Sequence, residues 1–563
     1  MVTGVRAMAV WVVALLVLGC HIEFANHGCT DALAEAAFQP GNGTRSGWAQ
    51  LSVSTASGVS DRDQLEAAGV LEGYLTAFEI YAHWHNVLGT FKISEAQEEW
   101  LLEQQQWSEE NVRVHGKRSE AWRAVGLTLA QLEGLVRGYQ QRRAHEIGLH
   151  GQTPLPPLGL LEFLKISAVG DLGDIAKAIA ERSQGAVQGY ENSSPDEHLL
   201  REFEGMTPEQ VVAEVARSGH CSAIVRVTPD LSDIFLGHSA WFTFGGMVRI
   251  FKHYTFGLAD VSLPLRGMSF SSYPGELSSD DDFYLLDTGL AVLQTTNRVF
   301  NRSLFAATTP QTLPSWQRER AACWRARAGA DWAAALAEHN SGTGEQPDLP
   351  AGLLTVVEQI PGHVAVRDGT AQLVRGYWPS YNIPSDPRVY EASGYRGAQA
   401  ALRRRGLAWA AAADALSYQR APRAAIFRRD AASALDLAGM QALMRSNNWP
   451  HEPLGGGGAY SALCARGDVD ARDPTPYGCY DSKVTTWRGA LRRQALAVNG
   501  PTSTTDIPPF DWRAVNATIS AQNPHILQPD RFDYRFGLVT PDPAAWEDAD
   551  PGPDPWQAMG EAF

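Results

Sequence analysis

A chain of 563 residues is too long for one ordinary core, and 44% hydrophobic with 20% charged residues is the composition of a folded protein, not a disordered one. Its 47 Lys and Arg against 63 Asp and Glu leave a net charge of −16, which excludes nucleic acid as a partner, because a phosphate backbone needs a basic face. The same acidity argues against simple electrostatic adhesion to anionic lipid.

The chain opens with Arg6 and an apolar run, Ala7 to Gly19 (AMAVWVVALLVLG), too short to span a bilayer comfortably. Small residues follow, including Ala32-Leu33-Ala34, so residues 1–34 read as a secretory signal and leader. No later stretch is long and apolar enough for a transmembrane helix. Residues 47 to 57 alternate as a strand does. Leu65 to Val87 has helical spacing, and Glu98 to Tyr139 reads as two further helices. Pro154 to Pro157 breaks the pattern, Leu160 to Arg182 resumes it, and Gln184 to Leu199 is a polar loop. A short helix follows to Ser218, with Thr207 as cap and Pro208 in its first turn.

The character then changes. CSAIVRVTP and DIFLGHSAW are two apolar, β-branched runs separated by Asp230-Leu231-Ser232, a hairpin signal. Phe242 to His253 reads as a helix carrying Arg249, Lys252 and His253. Strands and turns are expected from Leu258 to Thr296, and strands at Leu353–Val366 and Gln372–Tyr377. Ala398 to Ala415 reads as one Ala-rich helix, and 455–458 as a glycine loop. The fold class is therefore α+β in large layers.

Several familiar sites are absent. No phosphate-binding glycine loop occurs. His145 and His150 are spaced one residue too far for the zinc helix pattern. His83 and His85 lack a third ligand nearby and read as structural. Asp280-Asp281-Asp282 lacks calcium-loop spacing and reads as a solvated turn. Gly237-His238-Ser239-Ala240-Trp241 ends in Trp where a nucleophile elbow needs Gly. No metal or cofactor is expected.

Six cysteines occur, at 20, 29, 221, 323, 464 and 479. Cys464 and Cys479 bracket a Pro/Gly/Asp-rich loop and could staple it. Four sequons, Asn42, Asn192, Asn301 and Asn516, fit glycosylation on a secretory route. Cys221 has no obvious partner. It stands at the first position of a strand, after the flexible Ser218-Gly219. If the His220–Cys221 bond is cut, the thiol gains its own α-amine, of pKa about 7.7–8.0, as a general base. The competing reading is a buried, inert cysteine.

The runs GHCSAIVRV and DIFLGHSAWFTFGGMVRIFKHY resemble the phospholipase B-like family of lysosomal and secreted proteins. So do LEGYLTAFEIYAHWHN, FSSYPGELSSDDDFYLLDTGLAVLQTTN, VVEQIPG, VRGYWPSYNIP, APRAAIFRRD and GCYDSKV, in the order of the phospholipase B-like 1 branch. The resemblance runs from about Gly47 to Val539. It implies an N-terminal nucleophile hydrolase fold, a four-layer αββα sandwich with helical and loop insertions. It also implies autocleavage between His220 and Cys221, giving fragments 35–220 and 221–563 that stay associated.

Carried over residue by residue, the resemblance makes Cys221 the nucleophile, with His238 beside it in the pocket. It makes Asn382 the oxyanion donor, Trp241 and Arg423 pocket residues, and Cys464–Cys479 a disulfide. The expected activity is removal of acyl chains from glycerophospholipids. Two other readings stand beside it: an amidase acting on N-acyl amides, and a self-cleaving lysosomal binding or scaffold protein with little turnover. The expected setting is lysosomal or extracellular, the expected ligand a lipid or N-acyl small molecule, and a homodimer is a further option for assembly.

Overall fold

The computed structural model describes residues 33–185, 200, 203–217, 221–281, 283–338, 353–373, 376–454 and 458–546, together with the backbone of 15–18 and 21–24. The greater part of the leader, the sequon at Asn192, the glycines at 455–457 and the residues 218–220 before Cys221 lie outside that range.

Residues 34–217 supply two strands and a helical block. Strands β1 (Ala34–Gln39) and β2 (Ala49–Thr55) pair antiparallel. Then come α1 (Asp61–Leu75), α2 (Ala77–Asn86), α3 (Glu95–His115), α4 (Glu120–His150), α5 (Leu160–Ser167), α6 (Val169–Gly185) and α7 (Pro208–Arg217). Their ends follow from local chemistry. Ser60 caps α1 by accepting from the Asp63 N–H, and Ser94 and Gln97 form a reciprocal capping box on α3. Thr207 accepts from the Gln210 N–H at the start of α7, as its sequence suggests.

Helices α1 and α4 pack at unusually close range. Gly69 and Gly73 of α1 lie against the α4 backbone at Gln131 and Leu135. Gly134 and Gly138 of α4 answer them against Glu66 and Val70 of α1. A Cβ at any of the four would collide with a main-chain carbonyl oxygen. Two glycines four residues apart on each facing stripe thus set the helix separation.

The remaining strands complete two large sheets, except that β9 and β10 pair only with each other. They are β3 (Cys221–Val227), β4 (Ile234–Thr243), β5 (Ile250–Thr255), β6 (Gly267–Ser272), β7 (Phe283–Leu286), β8 (Ala291–Leu293), β9 (Thr355–Ile360), β10 (His363–Asp368), β11 (Tyr377–Ser380), β12 (Asp481–Thr486), β13 (Ala495–Asn499) and β14 (Gly537–Val539). One sheet runs β8-β7-β6-β5-β2-β1, with β2 and β5 parallel. The other runs β11-β3-β4-β12-β13-β14, and Tyr477–Cys479 adds to the far end of β4. Helix α8 (Ser315–Arg325) joins the first helical block. Helices α9 (Tyr395–Arg404), α10 (Ala410–Ala415), α11 (Pro422–Asp430) and α12 (Leu437–Met444) cover the second sheet.

The buried clusters define the layers. Ile250, Tyr254 and Phe270 of the first sheet pack with α1, α4 and α8. Ile224, Phe235 and Val484 of the second pack with α9 to α12. Between the sheets, Phe251 and Phe283 meet Leu236 and Ala497. The chain is thus a mixed α+β structure with sheets facing each other and helices outside. Among the described residues, no helix is long and apolar enough to cross a membrane.

Four expectations are corrected. Phe242 to His253 is not a helix: β4 runs on to Thr243, Phe244–Gly246 makes one tight turn, and β5 begins at Ile250. Its polar residues are buried with partners, Lys252 on Glu72 at 2.7 Å and His253 on Ser269 at 2.7 Å, so a charge pattern that suggests a wet helix face marks an internal strand. Asp281 is not in a solvated turn but buried between two cations. Gly406, at φ 104°, splits the Ala-rich helix into α9 and α10. The strand expected over 372–377 is one helical turn, Thr370–Leu373, followed by β11. The 221–243 hairpin and the helices between residues 61 and 217 form as expected, and the strand expected over 353–366 is present as a pair, β9 and β10.

Gly73→Ala is predicted to destabilise the protein by about 1–3 kcal/mol through overpacking. Gly148→Ala, with open space around its Cβ on the same α4, is predicted to be neutral or stabilising. Thermal denaturation of both variants checks the contrast.

Candidate active site

Cys221 is the first residue of β3, and the register of that strand decides what its thiol faces. Cys221 lies opposite Ala240 and Ala223 opposite His238. On the next strand, His238 lies opposite Lys483. Because strand side chains alternate, Cys221, Ala223, His238, Asp481 and Lys483 share the face that looks toward the other sheet. Trp241, one residue on from Ala240, points the opposite way, into the helical layer.

Two groups hold the main chain of Cys221. Its N–H donates to Asn382 Oδ1 at 3.4 Å. Its carbonyl oxygen accepts from Arg423 Nη1 at 2.6 Å. Asn382 sits just beyond β11 at φ 69°, a left-handed conformation that Asn tolerates better than most residues. Three contacts fix it there. Its N–H donates to Thr295 Oγ1 at 3.3 Å, its Nδ2 donates to the Thr296 carbonyl at 2.8 Å, and its carbonyl accepts from Tyr395 at 2.9 Å. One N–H of the Asn382 amide remains for a further acceptor.

Arg423, in the first turn of α11, lies with its guanidinium 4.7 Å from the Trp241 ring centre. Burial lowers its pKa to about 10, so it keeps its charge at neutral and acid pH. The Trp241 indole N–H donates to the Leu463 carbonyl at 3.1 Å. Cys464, next in sequence, is joined to Cys479, which pairs directly with Trp241. The disulfide thus braces Trp241, Trp241 carries Arg423, and Arg423 holds the Cys221 carbonyl.

His238 contacts neither Cys221 nor Asn382. Its Nε2 bonds the Gln294 carbonyl at 2.9 Å, and burial lowers its pKa to about 3, leaving a neutral ring with the proton on Nε2. Around it lies a buried set of four charges that sequence reasoning missed. Arg249 reaches Asp281 at 3.0 Å and Asp481 at 3.3 Å. Lys483 contacts Asp281 and also Asp481 at 2.7 Å. Burial works against the Asp281 charge, but Arg249 and Lys483 outweigh it and hold the carboxyl well below its usual range. For Asp481 burial prevails and raises the pKa. A readable signal existed: Asp481 and Lys483 alternate in GCYDSKV, as two residues on one strand face do.

The Cys221 thiol is pushed up strongly, first by burial and then by Asp281, against the opposing pull of Lys483. In the uncut chain it is therefore a neutral S–H. A small pocket of about 40 Å³ borders the site, with Asn382, Arg423 and Tyr395 on one side and Val212, Val215 and Ala216 of α7 on the other. Helix α7 also offers Glu214 to Arg298 at 3.5 Å. The helix ending four residues before Cys221 thus covers Asn382.

Of the sequons within the described residues, Asn42 and Asn301 use Nδ2 to bond main-chain carbonyls, at 3.3 and 3.2 Å. Asn516 is exposed and uses only Oδ1, as the cap of a short helix.

Comparison with known proteins adds the family. The family description "Phospholipase B" matches residues 34–539. Phospholipase B-like 1 of Rattus norvegicus is 34% identical over 515 residues, covering 88% of this chain and 85% of its own. The chain belongs to the phospholipase B-like family. Phospholipase B of Crotalus adamanteus is 34% identical over 88% of this chain and 86% of its own length. Phospholipase B-like protein B of Dictyostelium discoideum is 32% identical over 87% and 82%.

Two stability predictions follow from the buried charges of this phospholipase B-like chain. Asp281→Asn leaves Arg249 and Lys483 undercompensated and is predicted to cost about 3–5 kcal/mol in urea denaturation; a loss below about 1 kcal/mol contradicts the cluster's importance. Separately, burial raises Glu276 to about 8 despite Lys252 and Arg249, while His83, 3.5 Å away, is lowered to about 3. A carboxyl raised by folding contributes fully below its ordinary pKa of about 4.3 and loses that contribution as pH climbs toward 8. The Tm of Glu276→Gln relative to its parent is therefore predicted to rise between about pH 4.5 and pH 8. A difference that does not vary with pH contradicts the burial of an unionised Glu276.

Proposed function

We propose that this chain is an acyl hydrolase of the N-terminal nucleophile type, cutting acyl esters of glycerophospholipids with Cys221 after the His220–Cys221 bond has been severed. The observation that carries this reading is the clamp on Cys221: a strand-initial cysteine whose N–H already rests on Asn382 and whose carbonyl rests on Arg423. The facing sheets between helical layers support the fold assignment, and the relatives' printed names support a phospholipid substrate.

Maturation begins when Sγ attacks the His220 carbonyl carbon. The peptide bond to the Cys221 nitrogen is exchanged for a thioester, and water hydrolyses that thioester. The products are a carboxylate on His220 and a free α-amine on Cys221. The new amine stays beside Asn382 Oδ1, which accepts one of its protons and turns its lone pair toward the thiol.

In turnover the amine takes the thiol proton as Sγ attacks the substrate's acyl carbon. The remaining N–H of Asn382 is oriented for the resulting oxyanion. The amine returns the proton to the departing alcohol, and water then hydrolyses the acyl thioester. Arg423 and Trp241 act as positioning residues through the Cys221 carbonyl, and His238 through the Gln294 segment.

The fragments stay together because they share a sheet. Strand β2, from the first, lies parallel to β5, from the second. Severing one bond before Cys221 leaves that ladder whole. It also unties α7 from β3, allowing α7 to withdraw from Asn382. The apolar leader, the Cys464–Cys479 disulfide and the exposed sequon at Asn516 support a secretory route to a lysosomal or extracellular setting.

Cys221→Ala is predicted to remain one uncut chain without fatty-acid release from phosphatidylcholine vesicles. Asn382→Ala, isolated after cleavage, is predicted to lose about 10²–10³ in kcat with a smaller change in KM. Undiminished release by Cys221→Ala would refute the proposal.

A further inference from the structure

A cavity of about 580 Å³ begins where the thiol's face of β3 continues inward. Ala223 and Val225 form its floor with Leu236 of β4 and Trp378 of β11. Cys221 and Ala223 point the same way, two strand residues or about 7 Å apart. An acyl carbon held at Cys221 therefore has the cavity directly ahead along the sheet.

One segment ties the cavity to the chemistry. Gln294, Thr295 and Thr296 line its wall. The same three residues accept from His238, from the Asn382 N–H and from Asn382 Nδ2. The wall of the chamber is thus also the support of Asn382.

The remaining lining is suited to hydrocarbon. Leu293, Val356, Leu373 and Trp332 present carbon to the interior. Several charged groups at the wall already have protein partners. Asp171 accepts from the Ser315 N–H and hydroxyl, Glu358 accepts from the Ser385 and Asp386 N–H groups, and Arg318 donates to Leu313 and Gln359. Gln294 Oε1 and Trp332 Nε1 are buried there without a hydrogen-bond partner. A ligand entering here gains chiefly by burying apolar surface against the carbon side chains.

The outer rim is apolar as well. Leu353 and Trp487 line the cavity while 58% and 38% exposed. Exposed Leu491 lies against Gly289 at the same rim, and exposed Leu231 belongs to the β3–β4 turn whose Asp233 accepts from the Trp487 N–H. Clustered exposed apolar side chains at the mouth of an apolar cavity mark a lipid-binding opening more than an ordinary surface.

We propose that this cavity is the chamber for one long acyl chain, entered past Trp487 and Leu353, with the acyl carbon delivered to Cys221 at its inner end. The assignment of the inner end rests on Cys221 as nucleophile; the binding of a chain does not. It makes chain length a determinant of rate, set by how much of the cavity the chain fills.

The test uses cis-parinaric acid, a fluorescent long-chain fatty acid, titrated into the mature protein, into Cys221→Ala, and into Leu293→Trp and Thr355→Trp. The last two fill the cavity from half-buried positions on sheet edges, and circular dichroism selects those that fold. Saturable one-to-one binding is expected in the first two, weakened by about tenfold or more in a filled variant. The filled variant is also expected to lose at least that factor in kcat/KM for p-nitrophenyl palmitate relative to p-nitrophenyl butyrate. Absence of saturable binding, or binding and chain-length preference that both fillings leave unaltered, overturns the chamber. Binding by Cys221→Ala accompanied by full hydrolysis upholds the chamber and sinks the nucleophile, so the two failures are distinguishable.

Discussion

Four buried charges, Arg249, Asp281, Lys483 and Asp481, lock the two sheets in register. Arg249 leads into β5 and Asp281 precedes β7, both of the first sheet, while Asp481 and Lys483 stand on β12 of the second. Each cation touches both carboxylates, so neither sheet can slide along the other without exposing a charge to a low-dielectric interior. Tyr273 and Tyr480 close the set: their hydroxyls meet, Tyr480 accepts from Arg249, and the Tyr273 ring lies 4.0 Å from the guanidinium carbon. Two positive and two negative groups leave no net charge beside Cys221. The thiol therefore gains little help toward ionisation from its surroundings, and a base must come from elsewhere.

That constraint explains why the main chain of Cys221 is held so firmly. Asn382 takes its N–H and Arg423 its carbonyl, so both main-chain polar groups of the strand-initial residue are held. Behind each lies a supporting chain of contacts, Thr295, Thr296 and Tyr395 for Asn382, and Trp241 with the Cys464–Cys479 disulfide for Arg423. Under the proposed cleavage, a nitrogen fixed in this way beforehand would stay fixed as an amine, so that the base would be pre-positioned and cleavage would change its protonation chemistry more than its place.

Much of the architecture was legible because local pattern and burial agreed. The 221–243 hairpin alternates around a short polar turn, and the helices between residues 61 and 217 carry caps and periodic apolar faces. The Cys464–Cys479 pair brackets a turn-rich loop. Misreadings arose where polar residues are internal. RIFKHY looks like a charged helix face, yet Lys252 and His253 find partners on other elements that no local window contains. Asp281 sits in an acidic triplet whose compensating cations are 32 and 202 residues away in sequence. The large cavity was invisible for the same reason, since its walls come from segments as distant as Trp100 and Trp487. Of the expected site residues, Cys221, Asn382 and Arg423 converge. Trp241 lies beneath Arg423 on the other face of the sheet, and His238 stands apart from the thiol.

The central claim is that the working nucleophile and its base belong to one residue. N-terminal sequencing and intact mass of the large fragment, taken from material with demonstrated acyl-hydrolase activity, test it most directly. The account predicts a fragment beginning with an unblocked Cys221, and loss of activity in proportion to selective acetylation of that amine. Active protein in which residues 220 and 221 are still joined by an amide bond would contradict it.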